Sequence, residues 1–446
     1  MPFGGKLRAD NRWVKLAGMI PWELVEDIYA ESMSQDNGAP AISSRIAFGA
    51  LYIKENENLT DERTVESIAE NHYMQYFLGL HEYQDEPLFN ASMMVHFRKR
   101  FPADKIEEIN KRIFVKRKEE SQDENPPPNS GKLVLDATVA PADIRYPSDL
   151  SLLNEARENT EAMIEELWEH GLRQGHKTRY NRKKARSRYL SIAKQKRPVG
   201  KRTRSEVGKQ LGYVKINIET IGELLLQAGP DALPEKRINR IMTICELYRQ
   251  QSAMYENKIH TCESRIVSLR QPHIRPMVRG KAGRRYEFGQ KLALSVVRGY
   301  TFIERQSYDS FNEGVTLKDS LERYRELYGC YPQVVQADRI YRNRDNLAFC
   351  RNLGIRLSGP KLGRPGKDAD RDRETEEQDN RERNIIEGRN GMAKRRFGLD
   401  LIMAVLPETS LTEAAFQILC MNARIRLLLL RLSRFRFAWP PFHAFA

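Results

Sequence analysis

The spacing of hydrophobic and polar positions changes several times along the 446 residues of the chain. From residue 1 to about 120, apolar positions recur every three or four residues, which predicts a series of short helices. Residues 121–131 are polar and proline-rich, so they predict a linker. Beyond them, short apolar runs with β-branched residues predict strands that alternate with helices. The pattern favours an all-α N-terminal domain followed by an α/β domain over residues 132–149 and 273–410.

Two of the predicted strands carry a carboxylate. Leu133–Ala140 is a buried-type strand with Asp136 in its middle, and Val334–Ile340 is a second with Asp338 near its end. A hairpin that turns at Arg298-Gly299 is expected between them. A buried carboxylate is costly unless it is paired or binds a cation. An Asp that only accepts backbone N–H bonds is the structural alternative.

A third carboxylate lies on a predicted helix, Arg381–Gly398. Four and seven residues are close to one and two helical turns, so Arg383, Glu387 and Lys394 share one face. Gly398 is expected to end the helix. The positions expected to face inward are Ile385, Ile386, Met392 and Phe397. A solvated ion pair between Arg383 and Glu387 is the simpler alternative.

The same helix contains Gly388 and Gly391, although glycine in a helix interior costs on the order of 1 kcal/mol relative to alanine. This cost suggests that the backbone closely approaches a neighbouring element or a ligand.

Residues 150–272 interrupt the strand pattern with a helical, basic insertion. Asn154–Leu172 and Lys236–Arg270 show apolar spacings of three and four, and we predict an antiparallel helical pair. Between them, Arg173–Lys215 holds sixteen Lys and Arg but one acidic residue. Contact with phosphates explains this bias better than a solvated helix surface. The expected DNA contacts are Arg182, Lys183, Lys184, Arg186 and Arg188.

Composition supports a nucleic-acid partner. Lys and Arg number 74 against 60 Asp and Glu, which gives a net charge of +14 and a pI near 9.4, and such an excess favours a polyanion. No apolar run of about 18 residues predicts a membrane span, and the N-terminus lacks the apolar region of a signal peptide. We expect a soluble cytoplasmic protein without a membrane partner. The five scattered cysteines indicate neither a disulfide framework nor a zinc site.

Asp136, Asp338 and Glu387 together suggest one site. The order of predicted elements is typical of a ribonuclease-H-like fold: strand, hairpin, helix, strand, helix, strand and helix. In such a fold, adjacent strands would bring the two aspartates together. Three carboxylates are hard oxygen ligands that suit Mg²⁺, with Mn²⁺ as the alternative ion. Two such ions would activate a water or a 3′-hydroxyl for phosphodiester displacement.

Three segments, LVLDATVA, VVQADRIYRNRDN and RNIIEGRNGMAKRRFGL, resemble the catalytic segments of bacterial insertion-sequence DDE transposases. The most similar branch is the InsH-like one, insertion-sequence family five, and the N-terminal region is similar to that branch's N-terminal domain. The resemblance implies that Asp136, Asp338 and Glu387 are the metal-binding triad. It also implies that Arg383 and Lys394 contact transposon-end DNA.

The resemblance departs from the family signature at one position, seven residues before the glutamate. The signature has a Tyr there, whereas this chain has Asn380, so the role of that Tyr is missing or is filled elsewhere, for example by Tyr341.

The sequence therefore predicts a DNA transposase of the bacterial cytoplasm and nucleoid. It would bind terminal inverted repeats as a homodimer, cleave double-stranded DNA and join the 3′ ends to a target. Residues 1–120 would contact DNA, whether through a helix-turn-helix or as a plain helical bundle. Residues 411–446 form a C-terminal helix and tail. Two alternatives remain: a metal-dependent nuclease that cleaves without joining, and a catalytically silent DNA-binding protein.

Overall fold

The structure is a computed structural model that describes residues 2–33, 41–115, 128–169, 182–197, 199–278, 286–359 and 369–438. The chain divides into two compact units, one formed by Met1–Asp143 with Gly289–Ala446 and the other by Ile144–Phe288. The second unit includes the predicted insertion, residues 150–272. Most of the predicted linker, residues 121–127, and part of the basic segment, residues 173–181, lie outside the described residues.

The N-terminal part of the first unit is helical, as the apolar spacing predicts. Its helices are α1 (Arg12–Ala17), α2 (Trp22–Glu31), α3 (Ser44–Glu57), α4 (Asp61–Glu70), α5 (His72–Phe77), α6 (Met93–Arg100) and α7 (Ala103–Phe114). Thr60 starts α4 because its hydroxyl accepts a hydrogen bond from the backbone N–H of Arg63 at 3.2 Å, the usual role of an N-cap threonine. In α3, every residue of Ala47–Glu55 is buried, so this helix forms the centre of the N-terminal core.

The C-terminal helix α15 (Pro407–Ala438) packs against α3, α6 and α7. Thr412 donates a hydrogen bond to the carbonyl of Phe101 at 2.9 Å, and the amide of Asn422 donates to Asn110 Oδ1 at 2.9 Å. In the structure its main contacts are with the N-terminal helices, so the two ends of the chain share one core. Residues 439–446 lie outside the described part.

The strands form a six-stranded mixed sheet. They are β1 (Lys132–Pro141), β2 (Arg275–Val278), β3 (Tyr286–Val297), β4 (Tyr300–Ser307), β5 (Val334–Gln336) and β6 (Arg356–Leu357). Their order is β2-β3-β1-β5-β6, and β4 also pairs with β3. The strand β1 runs antiparallel to β3 and parallel to β5. The mixed α/β class is therefore confirmed.

The hairpin between β3 and β4 is confirmed. Val297 pairs with Tyr300 across a two-residue turn, and both Arg298 and Gly299 have positive φ, at 51° and 87°, as a tight hairpin turn requires. The predicted strand Val334–Ile340 is too long, because it ends at Gln336. Asp338 lies beyond the strand and caps a short 3₁₀ helix, Arg339–Tyr341. Its side chain accepts a hydrogen bond from the backbone N–H of Arg339 at 2.7 Å.

Three further helices complete this unit: α12 (Leu317–Tyr328), α13 (Arg344–Asn352) and α14 (Ala369–Phe397). The predicted helix Arg381–Gly398 is the second half of α14, and Gly398 ends it with φ at 81°. Ile386 and Phe397 are buried as predicted, but the inward orientation of Ile385 is wrong, since it is 39% exposed.

The prediction that the backbone of α14 closely approaches a neighbouring protein element at Gly388 and Gly391 is also wrong. No described atom lies within 4 Å of where a Cβ on Gly388 would be, and at Gly391 the nearest atoms belong to the flexible side chain of Arg395, at 3.1 Å.

The second unit contains four helices within its described residues: α8 (Asp149–Glu169), α9 (Arg182–Ala193), α10 (Gly200–Ala228) and α11 (Glu235–Asn257). The predicted pair of helices, which corresponds to α8 and α11, is incomplete, because α8 packs mainly along α10 and all three helices share one apolar cluster. The apolar stripe of α10 includes Leu211, Val214 and Ile221, all buried. The many basic residues in the first half of α10 obscured this apolar spacing in the sequence.

The helical seam expected over Lys236–Arg270 ends early, at Asn257, where Lys258 takes a left-handed conformation. The chain then turns back. The side chain of Gln250 accepts from the backbone N–H of Ile266 at 2.9 Å, and Ile266 and Leu269 are buried in the same cluster as α11. The apolar spacing beyond Asn257 thus reflects a non-helical segment that returns to the core.

The buried carboxyl of Glu107 on α7 should make stability depend on pH. Burial raises its pKa from 4.5 to about 8, so between these values the folded protein holds a proton that the unfolded chain has released. Stability should therefore fall as the pH rises through this window, by on the order of 4 kcal/mol for this group alone. Urea unfolding on either side of the window should show that Glu107→Gln, which mimics the protonated acid, loses this fall.

Glu108→Gln is the matched control, because Glu108 is the exposed neighbour. The same pH slope in wild type and Glu107→Gln would contradict the assignment.

Two glycines of the α14 region should respond in opposite ways to alanine. A Cβ on Gly398 would lie 3.0 Å from Asn58 Oδ1 and 3.2 Å from Gln417 Nε2, at a φ that alanine disfavours. Gly398→Ala should destabilise the protein by about 1–3 kcal/mol. Gly388→Ala should stabilise it by up to about 1 kcal/mol, since the position is helical and open. Urea denaturation midpoints measure both, and equal shifts would refute the local account.

Candidate active site

The parallel pairing of β1 with β5 places two of the predicted carboxylates at one end of the sheet. Val134 pairs with Gln336, and Asp136 and Asp338 each follow two residues later. Side chains two residues apart along an extended chain share a face, and adjacent strands lie about 4.8 Å apart. The register thus brings Asp136 and Asp338 to the same level on neighbouring chain segments.

Side-chain hydrogen bonds connect α14 to the strands of the sheet. The amide of Asn390 donates to Asp136 Oδ2 at 3.1 Å. Gln336 Nε2 donates to Asp379 Oδ1 at 3.0 Å, and Arg356 Nη2 donates to the same oxygen at 2.9 Å. These bonds restrict rotation of α14 about its axis, so Glu387, one turn before Asn390, has a defined position beside β1.

Arg383 connects the other two carboxylates of the predicted triad. Its Nη1 lies 4.0 Å from Asp338 Oδ1, and its Nη2 lies 4.0 Å from Glu387 Oε1. The side chains of Asp338 and Glu387 are 58% and 61% exposed, so water reaches both carboxylates. The predicted pair between Arg383 and Glu387 is present, and the guanidinium also faces Asp338.

Asp136 is half-buried and is the least exposed of the three carboxylates. Its pKa is raised to about 6, mainly by burial and also by the carboxylates of Glu313 and Glu387, while a backbone N–H bond and Arg383 oppose the rise. At neutral pH the carboxylate carries its charge at a cost, which a nearby cation would reduce.

Glu313 is a fourth carboxylate near this site, and the sequence patterns did not single it out. It begins a short 3₁₀ helix, and its Oε1 lies 2.9 Å from Lys291 Nζ. The only signal in the sequence was the motif NEGVT between the hairpin and α12, where Asn312 caps the turn. A single Glu in a polar loop did not stand out.

Tyr341, which could replace the Tyr missing at Asn380, is fully buried. Burial raises the pKa of its hydroxyl well above the ordinary value, and Glu313 and Asp136 add to the rise. Tyr341 therefore lies among the acidic groups of the site and is not accessible to a ligand at the surface. Asn380 itself is exposed on α14.

The donor chemistry of the site fits a divalent cation, because carboxylate oxygens are the ligands that Mg²⁺ prefers. Among the described residues, no group of three or more His, Cys, Asp and Glu side chains converges closely enough to hold a metal ion. Instead, the guanidinium of Arg383 lies between Asp338 and Glu387.

The predicted DNA contacts lie in both units. Lys394 is half-buried on α14. Within the second unit, Arg182 lies 3.3 Å from Glu165 and 3.4 Å from Glu161, and Arg188 lies 3.5 Å from Glu206. The remaining three basic side chains of the set are exposed on α9: Lys183, Lys184 and Arg186. The charges of Arg182 and Arg188 are thus balanced within the protein.

The described helices include none that is long and apolar enough to span a bilayer.

Comparisons with known proteins match two parts of the chain. Residues 335–424 match the family described as "Transposase DDE domain", a range that contains both Asp338 and Glu387. Residues 2–100, which hold the N-terminal helices through α6, match "Transposase domain (DUF772)". The first strand, with Asp136, lies outside both matches.

One curated relative is an uncharacterized protein, ORF8 in the nfe locus of Rhizobium meliloti. It is 30% identical over 184 residues, which are 41% of this chain and 86% of the relative. No solved structure matches the chain. Transposase domain families thus match both the N-terminal helices and the segment that carries Asp338 and Glu387, and these matches support a transposase function.

Proposed function

We propose that this transposase binds the terminal inverted repeats of its own element, cleaves double-stranded DNA and transfers the 3′ ends to a target. The observation that carries the proposal is the grouping of Asp136, Asp338 and Glu387 where β1, the end of β5 and α14 meet. The central strand, antiparallel to one neighbour and parallel to the other, supports a ribonuclease-H-like fold. The three segments around these carboxylates support the InsH-like branch.

Asp136, Asp338 and Glu387 would hold Mg²⁺, with Mn²⁺ as the alternative. When bound, such ions activate water or a 3′-hydroxyl and stabilise the leaving oxygen of a phosphodiester. Asn390 orients the carboxylate of Asp136 through its 3.1 Å hydrogen bond. The burial of Asp136, which raises its pKa, keeps the carboxylate in a low-dielectric setting where its interaction with a cation is strong.

Arg383 has two roles in this proposal. In the free protein its guanidinium balances the charges of Asp338 and Glu387. With cations held by these carboxylates, Arg383 would be available for a backbone phosphate near the reacting bond, because guanidinium groups bind phosphates bidentately. Lys394, about three turns further along α14, would contact the same DNA as a point charge.

The proposed partner is DNA, bound by a homodimer in the bacterial cytoplasm and nucleoid. The net charge of +14 supports this assignment, since phosphate contacts supply most sequence-independent affinity. The N-terminal helices and the exposed basic side chains of α9 are the proposed DNA-contacting regions outside the catalytic centre.

A strand-transfer assay tests the proposal directly. It uses the full chain, labelled DNA from the ends of its element, a supercoiled target, and either Mg²⁺ or EDTA. We expect joined products that require Mg²⁺ and are lost in Glu387→Gln. Cleavage without joining would instead identify a nuclease, and binding without either product would identify a catalytically silent DNA-binding protein.

Asp338→Asn should abolish cleavage while DNA affinity stays similar or increases, because one negative charge near the DNA is removed. Electrophoretic mobility shifts measure the affinity, and a gel assay of nicked product measures cleavage. Asp345→Asn, in the first turn of α13, is a control of equal charge. Full cleavage by Asp338→Asn would remove this residue from the active site.

Replacing Lys183, Lys184 and Arg186 together with Gln should weaken DNA binding and lower its salt dependence by about 0.9 for each phosphate that the protein no longer neutralises. The matched control is the double variant Arg182→Gln/Arg188→Gln, whose charges already have carboxylate partners. The control should lose stability more than affinity. If both variants bind DNA like wild type, the exposed side chains of α9 are ordinary solvated surface.

A further inference from the structure

Away from the carboxylate triad, α15 contacts both α1 and α14, and these three helices carry four arginines. We call them the arginine cluster: Arg12 on α1, Arg396 in the last turn of α14, and Arg424 and Arg431 on α15. Arg424 and Arg431 are seven residues apart, so they lie on the same face of α15. None of the four takes part in the candidate active site.

Contacts at the end of α14 bring these helices together. Gly398 packs against Asn58, which follows α3, and against Gln417 on α15. Gln417 is two turns before Arg424 on the same face of α15, and Arg396 is two residues before Gly398. At the same place Arg12 Nη2 lies 3.1 Å from a carboxylate oxygen of Glu57, the last residue of α3. The cluster therefore surrounds the junction of α3, α14 and α15.

The cluster has an excess of positive charge. Arg424 is half-buried; burial lowers the pKa of its guanidinium, and Arg396, Arg12 and Arg431 lower it further. Glu57 is the one carboxylate that opposes this effect, and it is already paired with Arg12. Throughout the described part of the chain, no carboxylate forms an ion pair with Arg396, Arg424 or Arg431. Such an arrangement destabilises a free protein unless an anion occupies it.

One explanation for the positions of these arginines requires no ligand. The helices α3 and α14 both end at this junction, and cations stabilise the partial negative charge of a helix C-terminus. This accounts for Arg396, in the last turn of α14. It does not account for Arg424 and Arg431, which lie within α15 and add like charge beside a group that is already half-buried.

We propose that the arginine cluster binds backbone phosphates of duplex DNA, at a site separate from the carboxylate triad. The choice of DNA as the polyanion rests on the proposed function. Arg396 lies nine residues after Glu387, which is about 14 Å along α14 and half a turn around it. The cluster and the triad therefore lie on opposite faces of this helix, and the cluster would hold DNA at a contact separate from the bond that is cleaved.

The test measures DNA binding and stability in the same variants, in EDTA, so that cleavage plays no part. The full chain binds a labelled duplex over a series of KCl concentrations, and thermal unfolding is recorded without DNA. The variants are Arg424→Gln/Arg431→Gln and its charge-retaining counterpart Arg424→Lys/Arg431→Lys. Arg325→Gln is the control, since this exposed arginine on α12 already has Glu322 as a partner at 4.0 Å.

If the cluster binds phosphates, the double Gln variant should lose about 2 from the slope of log affinity against log salt and roughly tenfold or more in affinity. Its Tm should be unchanged or higher, because like-charge repulsion is relieved. The double Lys variant should keep most of the slope, and Arg325→Gln should behave like wild type.

An unchanged salt slope in the double Gln variant would overturn the inference. A lowered Tm with an unchanged slope would do the same and assign the arginines to the helix ends. Failure of the proposed function is distinguishable from both outcomes. A wild-type protein that binds DNA through the cluster but yields no Mg²⁺-dependent product would retain this inference and lose the transposition chemistry.

Discussion

The pairing of β1 on both of its edges is the constraint on which the candidate active site depends. One edge pairs antiparallel with β3 over eight residue pairs, from Val134 to Pro141, and the other pairs parallel with β5. A shift of one residue would turn Asp136 to the opposite face. The long antiparallel ladder prevents this shift, so the short parallel strand β5 receives its register, and with it the position of Asp338, from a strand that is already fixed.

The second constraint is the attachment of α14, which carries Glu387. Asn390 connects this helix to Asp136, and Gly398 fits between the end of α3 and α15. The helix α15 is in turn held by buried charges: Lys54 Nζ lies 2.7 Å from Glu55 and 3.9 Å from Glu413. Buried ion pairs add little net stability, but removing one partner is costly. Because Gly398 packs against both Asn58, which follows α3, and Gln417 on α15, the packing of the N-terminal helices determines where α14 ends.

Charge balance unites the carboxylate triad and the arginine cluster. At the triad, carboxylates are in excess and Arg383 lies between two of them, as a cation would. At the arginine cluster, guanidinium groups are in excess and Glu57 is the opposing carboxylate. Each arrangement brings like charges close together, which costs free energy that a complementary ion would offset. A protein that binds both divalent cations and a polyanion needs this kind of unbalanced electrostatic arrangement at its surface.

The sequence by itself determined the local features of this protein. The apolar spacing predicted the N-terminal helices, β-branched runs predicted β1 and the hairpin at Arg298-Gly299, and Gly398 marked the end of α14, because these features depend on interactions between near neighbours in the chain. It also singled out Asp136, Asp338 and Glu387, since charges in or beside apolar runs are exceptional. Their functional roles remain proposals.

Only the tertiary structure decided what depends on distant segments. The parallel register places Asp136 level with Asp338, Asn390 contacts Asp136, and Arg383 reaches Asp338. These contacts join residues that are between 45 and about 250 positions apart. The basic first half of α10 concealed a helix that packing on α8 stabilises, and the apolar spacing beyond Asn257 belonged to a segment that returns to its own core. In both places the burial of apolar surface against a distant partner outweighed the local pattern, and a local pattern contains no information about that partner.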